Sequence, residues 1–186
     1  MSIAILGWGS LLWDLDDLAP KVRGGWQMRA GPRLPMEFSR ISPKRKLGLV
    51  VCLDPENGVP CATHTIESTR AALSDTVADL AARERAPLER IGFVGEGRSH
   101  SRLLAVIDAV EAWLETSPYA AVVWTDLEPN FAEVRGEPFS VQRGMAYLQT
   151  LSGENWDEAY RYISEAPADT DTPLRRALAA QPWWHA

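Results

Sequence analysis

Apolar positions along the chain change their period several times, and each change marks an element. Ile3-Ala4-Ile5-Leu6 is a short unbroken apolar run, as in a strand buried on both faces, and it ends at Gly7-Trp8-Gly9-Ser10. Residues 47–53 form a second, valine-rich run. Asp54-Pro55-Glu56-Asn57-Gly58 is dense turn chemistry, and residues 59–66 resume a strand-like pattern. Together they predict a β-hairpin that sets Cys52 roughly opposite Cys61. Helical spacing begins after Ser68, which is placed to cap a helix running to about Arg85, with Pro87 as its stop. Leu103, Val106, Ile107, Val110, Trp113 and Leu114 predict a further helix ended by Pro118. Residues 120–125 (Ala-Ala-Val-Val-Trp-Thr) read as a buried strand. Ser140 opens a helix carrying Met145, Leu148 and Leu151, and Trp156, Ala159, Tyr160 and Ile163 mark another. Thr172-Pro173 is a cap followed by proline at the first helical position of a short last helix. Strands come early and helices late, which predicts an α+β fold rather than an alternating doubly wound sheet.

Composition narrows the function more than the fold. A chain of 186 residues reads as a single domain, residues 1–186, able to bury a core without staples. The net charge of −6 disfavours nucleic acid and anionic membrane as partners. No segment approaches the roughly 20 apolar residues needed to cross a bilayer. The apolar start lacks a basic flank and a cleavage site, so it reads as a first strand and the expected compartment is the cytoplasm. Cys52 and Cys61 are too few for a disulfide framework or a cysteine-based zinc site. They read as buried neighbouring thiols, with a cross-strand redox pair as the other possibility. Eight tryptophans suggest an aromatic-rich core or pocket.

Two places carry candidate chemistry. The loop Gly7-Trp8-Gly9-Ser10-Leu11 follows a buried strand, and such a glycine-bracketed turn can aim several backbone N–H groups at one carboxylate or oxyanion; an ordinary strand-ending turn is the competing reading. It is neither a dinucleotide fingerprint, since Leu12 stands where the third glycine belongs, nor a P-loop, since no Gly-Lys-Ser/Thr follows. The second place is Glu84. It lies four residues beyond Leu80 and eleven beyond Leu73; at ~100° per residue that returns it to within about 20° of the Leu73–Val77–Leu80 stripe. A carboxylate on an apolar face is poorly solvated, which suits a general acid or base. The alternative is a helix-end side chain turned outward onto Arg83, Arg85 or Arg90. Asp14, Asp16 and Asp17 lack calcium-loop spacing. His64, His100 and His185 show no metal-ligand spacing. Arg40, Lys44, Arg45 and Lys46 form a small basic cluster that reads first as a solvated loop.

Joined in order, these pieces resemble the gamma-glutamylcyclotransferase superfamily, nearest its ChaC-like branch. Gly7-Trp8-Gly9-Ser10-Leu11-Leu12-Trp13 is similar to its Tyr-Gly-Ser-Leu signature, with Trp8 at the tyrosine position. Residues 47–54, Gly58 and residues 59–66 look like its glycine-led hairpin. Leu80-Ala81-Ala82-Arg83-Glu84 is similar to the helix that delivers its catalytic glutamate, and residues 121–125 with Pro129-Asn130-Phe131 to its later strand and Pro-Asn turn. Ala86-Pro87 replaces the glycines and tyrosine expected after Arg-Glu, and a helix near 100–116 is extra. The resemblance implies a small mixed β-barrel flanked by helices, here with that extra helix and a helical C-terminal region. It also implies that the α-amine of a γ-glutamyl substrate attacks its own γ-carbonyl, giving 5-oxoproline and a released amine or peptide. Glu84 would be the general base, and the Gly7–Leu11 loop would bind substrate. No metal or other cofactor is implied, and glutathione specificity does not carry over. The competing function is a non-catalytic module of the same fold that binds a small ligand or a protein.

Overall fold

A computed structural model describes residues 2–185. Its strands are β1 (Ile3–Gly7), β2 (Val22–Gln27), β3 (Leu34–Ser42), β4 (Gly48–Leu53), β5 (Val59–Cys61), β6 (His64–Ser68), β7 (Ile91–Gly95), β8 (Arg98–His100) and β9 (Ala121–Thr125). Its α-helices are α1 (Leu73–Glu84), α2 (Leu104–Leu114), α3 (Phe131–Arg135), α4 (Val141–Thr150), α5 (Gly153–Glu165) and α6 (Pro173–Ala179). Among the described residues the strands form two open sheets, of six and three strands, and no closed barrel. The α+β expectation therefore stands, and the barrel is not what these strands make. No described helix is long and apolar enough to cross a membrane.

The chain divides into two compact units, each assembled from two stretches. One holds Met1–Leu34 with Ala62–Leu127, the other Pro35–Cys61 with Glu128–Ala186. In the first, the sheet order is β2-β6-β1-β9-β7-β8. β1 lies in the interior, antiparallel to β6 and parallel to β9. That position explains the unbroken apolar runs of β1 and β9, since strands covered on both faces have no solvent side to alternate toward. Ile3, Ile5, Ala121 and Val123 share a core with Leu73, Val77, Leu80 and Ala81 of α1. Gly7, the last residue of β1, is covered by Trp26: a Cβ there would stand 2.3 Å from the ring.

In the second unit β3 is the middle strand, between β4 and β5. Met36 pairs with Leu53 and Ile41 with Leu49, with a bulge between Glu37 and Arg40. The hairpin expected from residues 47–66 is replaced by this arrangement. The Asp54–Gly58 turn is real: Asp54 accepts the Glu56 and Asn57 amides at 3.1 and 3.0 Å, and the Gly58 amide reaches the Asp54 carbonyl at 2.8 Å. Gly58 is wedged so that a Cβ would meet the Met36 and Asp54 carbonyls at 2.5 Å, and the chain leaves the turn on the far side of β3 from β4. Residues 59–66 then break at Ala62-Thr63; β5 stays in this sheet while β6 belongs to the other. Cys52 consequently faces Glu37 across the ladder, not Cys61; the two are not joined in a disulfide and both are buried. The helical C-terminal region forms as expected. Ser140 and Thr172 each accept an amide at 3.2 Å from the third residue beyond, and Pro173 occupies the first turn of α6. The tryptophans contribute here too: Trp156, Tyr160, Trp183 and Trp184 pack ring to ring, with centroids 4.8–6.1 Å apart.

Glu37 is fully buried in this unit. Its carboxylate accepts the Phe38 amide at 2.7 Å and the Leu174 amide at 3.0 Å, fastening the start of α6 to β3. Burial raises its pKa above the ordinary 4.5, and nearby Asp54 adds to the rise, against the opposing hydrogen bonds. A carboxyl that binds its proton more tightly when folded lowers stability as pH climbs, because the unfolded chain releases that proton first. The stability of the protein relative to its Glu37→Gln variant should therefore decline as pH rises from 4.5 through the folded-state pKa. Urea titrations of both proteins from pH 4 to 8 measure this difference; a flat or rising difference would contradict it.

Candidate functional site

The site is built inside the first unit. After β1 the chain turns into a 3-10 helix, Gly9–Leu12, with Trp8 extended before it. Gly9 has φ +60°, a left-handed conformation that costs an L-residue roughly 1–2 kcal/mol. The turn closes through the Trp13 and Asp14 amides, which donate to the Ser10 carbonyl at 3.2 and 2.8 Å. The leading N–H groups of such a turn have no acceptor inside it. Trp8, Gly9, Ser10 and Leu11 are all buried. Gly9→Val is expected to lower stability by about 2 kcal/mol and any substrate affinity of the loop by a larger factor. Denaturant melts beside ligand titration separate the two; an affinity loss no larger than the stability loss would make the loop purely structural.

Helix α1 begins later than the sequence suggests. Ala72 precedes its first turn, while Ser68 ends β6, its hydroxyl 3.1 Å from that of Thr76 and accepting the Arg70 amide at 3.1 Å. A hydroxyl already engaged at a strand end is not available to cap. The other end forms as expected: Arg85 is left-handed at φ +54°, the Ala86 amide reaches back to the Ala81 carbonyl at 3.1 Å, and Pro87 follows. Leu73, Val77 and Leu80 face the core, and the Glu84 side chain is only 13% exposed.

Glu84 is not a solitary carboxylate. Its Oε1 accepts Nη1–H of Arg83 at 2.9 Å, so the inward placement and the arginine pairing, posed as alternatives by the sequence, hold together. The Arg83 side chain is 2% exposed. Its Nη2 donates to the Ser10 hydroxyl at 3.4 Å and to the Asp14 carbonyl at 2.5 Å. One buried guanidinium thus ties the last turn of α1 to Ser10 in the Gly9–Leu12 turn and to Asp14 just beyond it. In the sequence Arg83 figures as an outward partner of Glu84 and within the family-like Leu80–Glu84 segment, with no link to the Gly9–Leu12 turn. The signal was its position three residues after Leu80, on the flank of the buried stripe. Higher on the same helix, Asp79 pairs with Lys21 at 2.9 Å and Arg70 at 2.6 Å. Burial pushes its carboxyl up, and those bonds outweigh burial and hold it below the usual range.

The remaining candidates serve the framework. The Asp14 carbonyl anchors Arg83, and Asp16 and Asp17 open a 3-10 helix. His64 is buried, with Nδ1 accepting the Arg29 amide at 2.9 Å. His185 bonds the Ala179 carbonyl at 2.9 Å. In the second unit Arg40 donates to the Glu128 carbonyl, Arg45 pairs with Glu158 at 3.3 Å, and Lys46 pairs with Glu154. Asn130, of the Pro-Asn pair, accepts the Ile41 amide at 2.7 Å and donates to the Ile41 carbonyl at 3.0 Å. Among the described residues no cluster of histidine, cysteine, aspartate and glutamate suits a metal ion. No family model, curated protein or solved structure matches the chain.

Proposed function

We propose that the protein is a gamma-glutamylcyclotransferase-like enzyme that cyclises a γ-glutamyl group to 5-oxoproline and releases an amine or peptide, with Glu84 as general base. The observation that carries this reading is the Arg83 bridge: the glutamate and the glycine-serine turn, singled out separately in the sequence, meet through one buried guanidinium. The reading takes over the family's pairing of loop and glutamate without its closed barrel, and its residues are Glu84 as base with Gly7, Trp8, Gly9, Ser10 and Leu11 as substrate loop.

The chemistry asks little of the protein. The nucleophile is tethered to its target, so most of the rate comes from holding the ring-closing conformer. Glu84 takes a proton from the substrate α-ammonium, whose ordinary pKa is about 8. The freed amine attacks the γ-carbonyl; as the C–N bond to the leaving group breaks, the ring nitrogen gives its second proton to solvent and Glu84 returns its proton to the departing amine. Amides of the Gly9–Leu12 turn carry the developing oxyanion or the substrate carboxylate. Arg83 holds Oε1 of Glu84, which leaves Oε2 to meet the ammonium.

The test is a panel of γ-glutamyl amines and γ-glutamyl dipeptides incubated with the purified protein, with 5-oxoproline measured by mass spectrometry. Time-dependent release from at least one member is expected. No release from any member by folded protein would overturn the enzyme reading and leave the non-catalytic binding module.

A further inference from the structure

A hollow of about 650 Å³ opens in the first unit away from Glu84 and the Gly9 turn, and none of the candidate catalytic residues lines it. Its size falls within the ~300–1,000 Å³ of small-molecule sites. Leu73 and Val77 of α1, Phe93 of β7 and Leu88, which is 57% exposed, form its apolar lining. Its polar lining is Ser74 of α1, Glu89, and Arg98, Ser99 and His100 of the edge strand β8, with Arg98 the one cation among them.

The walls are pre-formed. β7 and β8 are joined by Glu96-Gly97, both at positive φ (+55° and +69°), the tight turn whose twist suits a hairpin. The Glu96 carboxylate accepts the Leu73 amide at 3.4 Å and Nη2–H of Arg98 at 2.8 Å, which fastens the hairpin tip to the first turn of α1. The Arg98 guanidinium lies over the Phe93 ring at 5.9 Å, and His100 stacks on that ring at 5.9 Å. His100 Nε2 is 3.0 Å from the Glu89 carbonyl, which assigns the ring proton to that nitrogen and leaves Nδ1 an acceptor. Arg98 spends one of its five N–H donors on Glu96, and its side chain is 60% exposed.

We propose that this hollow binds a small molecule with an apolar body and a single carboxylate. Leu73, Val77, Leu88 and Phe93 take the body, and the remaining donors of Arg98 take the carboxylate. Arg98 decides the class: a neutral hydrocarbon would leave its remaining donors unanswered, and an amine would face the guanidinium. The site does not depend on the cyclotransferase reading.

Calorimetric titration of the full chain with dodecanoate, and with dodecanol as its uncharged counterpart, tests this. Saturable one-to-one binding of dodecanoate is expected, at least tenfold tighter than dodecanol. Arg98→Gln should remove most of that preference and Leu88→Asp most of the binding. Both positions are exposed, so melting temperatures should hold. Absence of saturable binding, equal affinity for acid and alcohol, or unchanged affinity in both variants would overturn the proposal. Each result stands apart from any assay of 5-oxoproline release.

Discussion

Glu84→Gln is expected to reduce turnover of a γ-glutamyl substrate by about 10²–10⁴-fold, the usual worth of a positioned general base. Substrate affinity should change little, because glutamine keeps the shape and its amide oxygen can still accept Nη1–H of Arg83 where Oε1 does now. The structure alters the expected stability effect. A carboxylate alone on an apolar stripe would be strained, and glutamine there would be neutral or stabilising. Glu84 instead answers a guanidinium that is 2% exposed. The substitution exchanges a charge-assisted bond for a neutral one, and a loss of about 1 kcal/mol follows. Initial rates of 5-oxoproline release, read beside urea melts, separate the two effects. Retained turnover with the small stability loss would leave Glu84 a purely structural partner of Arg83.

How much of this was legible in the sequence depends on whether a feature is local. The strands β1 and β9, the helices α2, α4, α5 and α6, and the caps Ser140 and Thr172 rest on patterns spanning a few residues, and they form as the patterns indicate. What failed was pairing. Strand β3 carries no unbroken apolar run: Met36 and Phe38 alternate with Glu37 and Ser39, and basic residues follow directly. Once β3 takes the middle of its sheet, the expected 47–66 hairpin has no place. A turn as well formed as Asp54–Gly58 specifies that the chain reverses but not which neighbour the next strand finds. Ser68 shows the same limit in small: its residue type suits a cap, yet a tertiary partner, Thr76, claims its hydroxyl. At the site, periodicity aimed Glu84 inward correctly. It could not show that Arg83, one position earlier, is buried more deeply, because a helical wheel carries no information about acceptors arriving from the Gly9–Leu12 turn and Asp14.

Arg83 is accordingly where a single change should cost most. Arg83→Met keeps the length and apolar stem of the side chain and removes its donors. Ser10 and the Asp14 carbonyl then lose a partner, and Glu84 is left as an unanswered charge in a mostly buried position. Breaking one side of a buried ion pair typically costs about 3–5 kcal/mol. The lower end applies here, since 13% of the Glu84 side chain still meets solvent. Removing the stranded charge should recover much of the loss: Arg83→Met with Glu84→Leu should be more stable than Arg83→Met alone, with a coupling of about 1–3 kcal/mol across the cycle. Chemical denaturation of the wild type, both single variants and the double variant gives that coupling directly. Additive effects would mean that the two side chains are neighbours without being partners. In that case the link from the Gly9–Leu12 turn to Glu84, on which the catalytic reading rests, would be lost.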